Sequence, residues 1–382
     1  MKDLPTPRGP DLGVYVHWPY CARICPYCDF NVFKDRGGDE PAALARAIVA
    51  DLEAQATLTG PRRLVSVFLG GGTPSLMDPA WAAEIVAAAR RLWTAGPDLE
   101  VTLEANPTDA EAARFAAFAA AGVNRLSLGL QSLEDQALAF LGRNHDAATA
   151  IRATETAART FPRLSVDLIY ARPGQTPAAW GEELARAVGL GAEHISPYQL
   201  TIEAGTAFDR AVRRGAFTPP DADQGAALFD TTQAVLGARG FEAYEVSNHA
   251  RGPAARSRHN LVYWRGQDYV GAGPGAHGRL TLAGVRHAAE APARPADYIS
   301  SVAAGAVSRQ ALSPVETAEE RLLSGLRITE GVLLADVAAL EIPPARIADL
   351  VALGLLHDDP ERLRATPAGR LVLDRLTSEL AI

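Results

Sequence analysis

The sequence predicts an α/β fold: a partial, TIM-like (β/α)6 barrel, followed by a C-terminal extension and a small winged-helix-like domain. Two observations predict this class. Short apolar runs alternate strictly with longer segments of helical apolar spacing between about residues 13 and 200. Polar or glycine-rich residues lie at or just past the carboxyl end of successive runs, where a parallel barrel builds its active site.

Six strands are predicted, over Val14–Trp18, Leu64–Leu69, Leu99–Glu104, Arg125–Leu130, Ser165–Tyr170 and His194–Leu200. Helices are predicted between them, among others over Ala42–Ala56, Pro79–Trp93, Ala110–Ala121 and Ala178–Val188. We expect the core barrel to span residues 1–215 and its extension 216–300. The small domain should then occupy residues 301–382.

The composition favours a cytoplasmic protein. No apolar run approaches the roughly 20 residues that span a bilayer, so we do not expect an integral membrane protein. The formal net charge of −8 argues against a general affinity for the phosphate backbone of nucleic acids.

All three cysteines of the chain, Cys21, Cys25 and Cys28, lie within eight residues. The odd count and the lack of a secretory leader argue against disulfides. A zinc site would need a fourth ligand such as His17. Three thiolates on a [4Fe-4S] cluster leave one iron open for a small molecule, and the spacing favours this interpretation.

The spacing CxxxCxxC resembles the signature of the radical S-adenosylmethionine (SAM) superfamily. The resemblance implies that the open iron chelates SAM through its amino and carboxylate groups. It also implies that an electron from the cluster splits SAM into methionine and a 5′-deoxyadenosyl radical. In such a system the protein orients the cofactor and excludes water and oxygen.

Further motifs extend the resemblance over nearly the whole chain. They are Tyr15–Cys21, Cys25–Phe30, Gly70–Pro74, Leu103–Pro107, Gly129–Ser132 and Asp167–Tyr170. Together they resemble the oxygen-independent coproporphyrinogen III oxidase group. By position, that resemblance implies SAM contacts at Tyr15, Gly71, Gly72, Thr73, Glu104, Gln131, Arg143 and Asp167.

Taken singly, these residues have ordinary explanations. A glycine run often marks a plain turn, Glu104 could cap a helix, and an isolated arginine such as Arg143 is usually a surface residue. Asp167 differs because it lies inside an apolar run, where an unpartnered carboxylate would be costly to bury. A functional role is therefore favoured for Asp167.

Two features favour one branch of the group. The oxidases carry a further cysteine two residues after the third, and this chain has Phe30 there. The segment His259–Trp264 resembles the HNxxYW motif of the haem-chaperone branch. That resemblance implies haem binding at His259, Tyr263 and Trp264, and transfer of haem to recipient haem proteins associated with the membrane.

Other interpretations stay open. His259 and Asn260 could form a hydrogen-bonded turn with the aromatic residues in the core. The chain could be an enzyme, either the oxidase that decarboxylates coproporphyrinogen III or a radical SAM enzyme with another substrate. His277, within a glycine-rich turn, could lie near SAM.

The sequence pattern of the C-terminal tail predicts three helices, over Val315–Gly325, Leu333–Leu340 and Pro344–Leu353. A hairpin of Leu355–His357 with Arg362–Ala365 and a last helix over Pro367–Leu380 should follow. This order is typical of a winged helix. Residues 313–382 hold twelve acidic residues against seven arginines, which argues against binding to DNA. We expect this module to pack on the barrel or to dock a protein.

Overall fold

The computed structural model describes residues 9–109, 112–302 and 307–381. The strands, numbered along the chain, are β1 (Leu12–Trp18), β2 (Tyr20–Cys21), β3 (Phe33–Lys34), β4 (Arg63–Gly71), β5 (Thr94–Ala105), β6 (Arg125–Gln131), β7 (Arg163–Tyr170), β8 (His194–Gln199), β9 (Glu242–Ala243), β10 (His249–Ala250), β11 (Asp268–Ala272), β12 (His277–Leu282), β13 (Val285–Glu290), β14 (Ser308–Ala311), β15 (Val332–Leu333) and β16 (Arg362–Leu363).

The α-helices are α1 (Glu40–Thr59), α2 (Pro79–Leu92), α3 (Ala112–Ala120), α4 (Asp135–Phe140), α5 (Ala147–Thr160), α6 (Pro177–Val188), α7 (Ala207–Arg213), α8 (Ala222–Gly237), α9 (Arg258–Trp264), α10 (Pro295–Ser301), α11 (Pro314–Gly325), α12 (Pro344–Ala352), α13 (Pro367–Leu371) and α14 (Leu373–Leu380). The predicted start of α3 at residues 110–111 lies outside the described residues. Within the described ranges, no helix is long and apolar enough to cross a bilayer.

Among the described residues, twelve strands form one sheet in the order β14-β13-β12-β11-β1-β4-β5-β6-β7-β8-β10-β9. The run from β11 to β8 is parallel throughout. The six predicted parallel strands are therefore confirmed. The structure adds β11 as a seventh, beside β1, while β12 to β14 continue the sheet in antiparallel pairs.

The two faces of the parallel strands differ in polarity. In β5, Val101 and Leu103 belong to the large apolar core, whereas Glu100, Thr102 and Glu104 occupy the alternate positions. A period of two places these sets on opposite faces of a strand. The same alternation occurs in β6, β7 and β8. One face of the sheet therefore packs in the apolar core, and the other surrounds a polar interior.

Hydrogen bonds and ion pairs join many of the polar side chains of this interior. Arg163 Nη1 lies 2.6 Å from Glu100 Oε2. Ser165 Oγ lies 2.7 Å from His194 Nδ1, and His194 Nε2 lies 2.8 Å from the Tyr244 hydroxyl. Burial of polar groups is tolerated because their partners replace water.

The tail has an apolar cluster of its own, which includes Leu322, Val332, Leu350, Leu363 and Leu376. β15 pairs with β16 in antiparallel fashion. The predicted hairpin is present, with a bridge between Leu356 and Ala365. β16 belongs to its second arm, so β15 adds a third segment beside that arm.

Two helix predictions in the tail need correction. The segment Leu334–Leu340 is a 3-10 helix, tighter than the predicted α-helix. The last predicted helix is broken into α13 and α14 at Val372, which has φ −121° and ψ 31°. The proposed boundaries of the three regions stay predictions.

Candidate functional site

The cysteine loop follows β1 at the carboxyl end of the parallel strands. Cys21 ends β2, and the backbone N–H of Cys28 donates to the carbonyl of Cys25 at 3.2 Å. All three cysteines line one cavity of about 380 Å³, which we call the cysteine cavity. Burial raises the pKa of Cys21, and it raises the pKa of Cys28 to about 11. Binding of iron would therefore displace protons from these thiols.

The donor set fits a cluster with one open iron better than a single zinc ion. His17, the zinc ligand considered from the sequence, has both ring nitrogens engaged, with the Tyr15 hydroxyl at 2.9 Å and the Asn31 carbonyl at 2.8 Å. Among the described residues, no three His, Cys, Asp or Glu side chains converge on a point where one metal ion could sit. Phe30 lines the cysteine cavity and is 63% exposed. Because it is a phenylalanine, this position supplies no fourth thiolate.

Seven of the eight SAM contacts expected from the sequence line the cysteine cavity. They are Gly71, Gly72, Thr73, Glu104, Gln131, Arg143 and Asp167. They come from the ends of β4 and β5, from β6 and β7, and from the loop after α4. The topology therefore brings them together with the cysteines.

Gly71 and Gly72, which line the cysteine cavity, have no room for a larger side chain. Gly71 has φ 110°, and a Cβ there would lie 2.7 Å from the ring of His17. A Cβ on Gly72 would lie 2.8 Å from the backbone of Pro19. A larger residue at either position would push the strand end out of place, so the backbone can line the cavity only as glycine.

Two carboxyl groups, those of Glu104 and Asp167, line the cysteine cavity. Burial, and then the charge of Asp167, raise the pKa of Glu104 to about 8, although the backbone N–H of Gly71 donates to Glu104 Oε2 at 3.1 Å. Burial also raises the pKa of Asp167, which accepts hydrogen bonds from Ser127 Oγ at 3.2 and 3.1 Å. At neutral pH the cavity therefore carries less negative charge than two free carboxylates would.

Arg143 connects the cysteines with the strand ends. Its Nη1 donates to Cys25 Sγ at 3.2 Å, and its Nη2 donates to the Gly129 carbonyl at 3.2 Å and to the side chain of Asn106. The Nε of Arg143 and the Oε1 of Gln131 are buried without a partner among the described residues. A bound polar ligand would satisfy such groups.

The eighth expected contact, Tyr15, lies elsewhere. Its ring lines a second cavity of about 470 Å³, between the α9–β12 region and α11. We call this the aromatic cavity, because Tyr263, Trp264 and Tyr269 also line it. The hydroxyl of Tyr15 is hydrogen-bonded to His17. Through His17, Tyr15 is therefore linked to Asn31, which lies three residues beyond Cys28.

His259 does not reach the surface of either cavity. It is 1% exposed, and its two ring nitrogens are bonded to Ser66 Oγ at 2.9 Å and to the Tyr263 hydroxyl at 2.8 Å. Phe68 stacks on its ring at 4.9 Å. Burial lowers the pKa of His259 to about 3. The structure thus brings Tyr263 and Trp264 to a cavity wall and leaves His259 behind them.

The carboxyl end of α9 also contacts the tail. The guanidinium of Arg327 lies over the ring of Trp264 at 4.7 Å. Arg265 donates to both carboxylate oxygens of Glu330, at 3.0 and 2.6 Å. The tail therefore packs directly on the helix that carries the HNxxYW-like segment.

Sequence reasoning missed several residues of the two cavities. Asn106, bonded to Arg143 and to Thr73 Oγ1 at 3.2 Å, lies within the motif Leu103–Pro107 but was assigned no role of its own. Arg279, Arg286 and Arg321, which line the aromatic cavity, come from separate elements and form no motif. Their proximity exists only in the fold.

Three cysteines at the rim of a parallel α/β sheet, beside a glycine-lined polar cavity, define a radical SAM protein. The model of the radical SAM superfamily matches residues 15–187. The model of the HemN C-terminal domain matches residues 312–372.

Proteins of similar sequence show to which group of radical SAM proteins this chain belongs. Heme chaperone HemW of Mycobacterium tuberculosis is 37% identical over 386 residues, covering 100% of this chain and 97% of the relative. HemW of Escherichia coli is 37% identical, covering 72% and 71% of the two chains. Radical S-adenosyl methionine domain-containing protein 1, mitochondrial, of Bos taurus is 41% identical, covering 98% and 88%. The chain belongs to the radical SAM family that includes HemW.

A solved structure supports the fold. Coproporphyrinogen III oxidase HemN from Escherichia coli superposes with a TM-score of 0.80 at 22% sequence identity, over 97% of this chain and 90% of that one. At this identity the likeness concerns the fold alone.

Proposed function

We propose that this chain is a cytoplasmic haem chaperone. It binds a [4Fe-4S] cluster and SAM in the cysteine cavity, binds haem, and transfers the haem to recipient haem proteins at the membrane. The observation that carries this proposal is the combination of a three-thiol cavity, Phe30 at its mouth, and α9 forming part of a second cavity. The relatives named Heme chaperone HemW support the same proposal.

Within the cysteine cavity, Cys21, Cys25 and Cys28 would hold three irons of the cluster. Reductive cleavage of SAM is the chemistry that this cluster supplies when it is bound. Arg143 has the fork of donors that suits the SAM carboxylate. Glu104 and Asp167 offer oxygen acceptors to ribose hydroxyls.

The polypeptide around Gly71, Gly72 and Thr73 would accept the methionine part of SAM. Glycine allows close approach of the ligand to backbone donors and acceptors. The unpartnered Oε1 of Gln131 is a further acceptor in the same wall. The role of these residues is to bind and orient SAM and to exclude water.

The alternative function is oxygen-independent decarboxylation of coproporphyrinogen III. Phe30 argues against it, since a hydrophobic ring occupies the position where the oxidases carry a fourth cysteine. The solved oxidase shares the fold at 22% identity, whereas relatives named HemW reach 37% over the full chain. The comparison therefore favours the chaperone.

The test uses protein whose cluster has been reconstituted without oxygen, with the cluster-free Cys28→Ser variant as control. One sample receives SAM, a reductant and coproporphyrinogen III, and porphyrin products are separated with fluorescence detection. A parallel sample is titrated with haem. We expect saturable haem binding and no decarboxylated product. Product formed at a catalytic rate would overturn the chaperone proposal in favour of the oxidase.

A further inference from the structure

The aromatic cavity is a candidate ligand site distinct from the cysteine cavity. Its volume of about 470 Å³ lies within the range of roughly 300–1,000 Å³ typical of small-molecule sites. Tyr263 and Tyr269 pack edge to face, with ring centroids 4.5 Å apart, and Leu323 of α11 contributes to the opposite wall. Leu323 is 58% exposed although it is apolar. This lining suits a flat apolar ligand.

Charged side chains also line the cavity, and each arginine among them is paired with a carboxylate. Arg279, Arg286 and Arg321 line it, against the single carboxylate of Glu320. Glu320 pairs with Arg279 at 2.8 Å and with Arg286 at 3.5 Å, and Arg286 also lies 3.6 Å from Asp268.

Arg321 lines the cavity with one guanidinium nitrogen paired and one without a partner. Its Nη2 donates to Asp336 at 2.6 Å, whereas its Nη1 is buried without a partner in the described part of the chain. The indole N–H of Trp264 is also buried and unpartnered there. Two unmatched donors at the edge of an aromatic cavity fit a ligand that carries carboxylates on a planar apolar body.

One histidine of the cavity wall is available to a metal. His277, the first residue of β12, is exposed and lines the aromatic cavity. A neutral imidazole nitrogen is the commonest protein ligand for metals, including haem iron. His259 cannot take this part in the folded protein because both of its nitrogens are engaged and its side chain is buried.

The wall that carries His277 is connected to the cysteine loop. Asn31 Nδ2 donates to the Pro274 carbonyl at 2.9 Å. A Cβ on Gly273 would lie 2.2 Å from the His17 carbonyl, so the turn before β12 packs tightly against β1. A ligand at His277 would therefore lie next to the segment that holds the cluster.

We propose that haem binds in the aromatic cavity, with His277 as an axial ligand of its iron and Arg321 as the partner of a propionate. This inference deepens the proposed function and rests on it. Tyr263 and Tyr269 lie against the porphyrin face, and His259 holds Tyr263 in place from behind.

The test is a haem titration of the cluster-bearing protein, followed by absorbance and electron paramagnetic resonance. His277→Ala should bind haem at least 10-fold more weakly and lose the spectrum of a histidine-bound iron. Added imidazole should restore that spectrum. His287→Ala is the matched control, because His287 lies on the neighbouring strand β13 and does not line the cavity. It should behave as the unaltered protein.

Arg321→Gln separates the propionate contact from the iron ligand. It should weaken haem binding about 10- to 100-fold without changing the spectrum, as expected for loss of a charge-assisted hydrogen bond. Haem dimethyl ester, which lacks carboxylates, should bind the unaltered protein and Arg321→Gln equally. An unchanged spectrum and affinity in His277→Ala would overturn this inference. Absence of saturable haem binding by the unaltered protein would overturn the proposed function itself.

Discussion

Replacement of His259 with alanine should destabilise the polar interior beside the sheet rather than remove a ligand of haem. The change deletes a buried ring that stacks on Phe68 and breaks two hydrogen bonds, to Ser66 and Tyr263. It also leaves the hydroxyls of Ser66 and Tyr263 without the ring nitrogens of His259 as hydrogen-bond partners. Truncation of a buried ring and loss of two buried hydrogen bonds together cost about 4 kcal/mol.

The pH dependence of this loss follows from the pKa of His259, which is about 3 in the folded protein against 6.5 as the ordinary value. Since the unfolded chain binds the proton more tightly, the stability contributed by neutral His259 is present above pH 6.5. It is lost as the pH falls toward 3. Between pH 7 and pH 5 the unaltered protein should lose about 2 kcal/mol through this residue. The stability gap to His259→Ala should narrow by that amount.

The assay is urea denaturation of cluster-free protein at pH 7 and pH 5, under reducing conditions. Tyr263→Phe is the control, since it removes one hydroxyl and should cost about 1 kcal/mol. In a thermal scan, His259→Ala should unfold about 5 °C lower. Unchanged stability at pH 7, combined with complete loss of haem binding, would contradict the structural role of His259 and make it a ligand of haem.

Three further predictions concern the two cavities and their surroundings. Arg143→Gln should retain the cluster absorbance but bind SAM about 10- to 100-fold more weakly by calorimetric titration, because it loses its charged fork; tighter or equal binding would contradict this role. Arg327→Ala should lower the stability of the protein by about 3 kcal/mol in denaturation, since it removes the arginine that lies 3.7 Å from buried Glu245 and leaves only the charge of Arg370 to offset that carboxylate. Phe30→Cys should produce no decarboxylation of coproporphyrinogen III in the chromatographic assay, and product would show that this position alone decides the activity.

The rim of the parallel strands could be predicted from the sequence because its signals are local. The three cysteines lie within eight residues, and each predicted strand end carries its own polar or glycine residue. Parallel strands bring such ends together whatever the details of packing. The structure accordingly places Glu104, Gln131 and Asp167 around one cavity.

The aromatic cavity could not be predicted in the same way. Its wall combines Tyr15 of β1, His277 of β12 and Arg321 of α11. The proximity of these residues depends on parallel pairing of β11 with β1, which joins segments about 250 residues apart. The sequence pattern also gives no sign that His259 is turned inward, because the same letters fit an exposed ligand or a buried hydrogen-bonded pair.

The most direct test of haem binding in the aromatic cavity is the stoichiometry of haem bound to anaerobically reconstituted, cluster-bearing protein, followed by the Soret absorbance. One aromatic cavity per chain predicts saturation at about one haem per chain, with the cluster absorbance retained. A folded, cluster-bearing protein that shows no saturable haem binding would contradict the proposal that this chain is a haem chaperone.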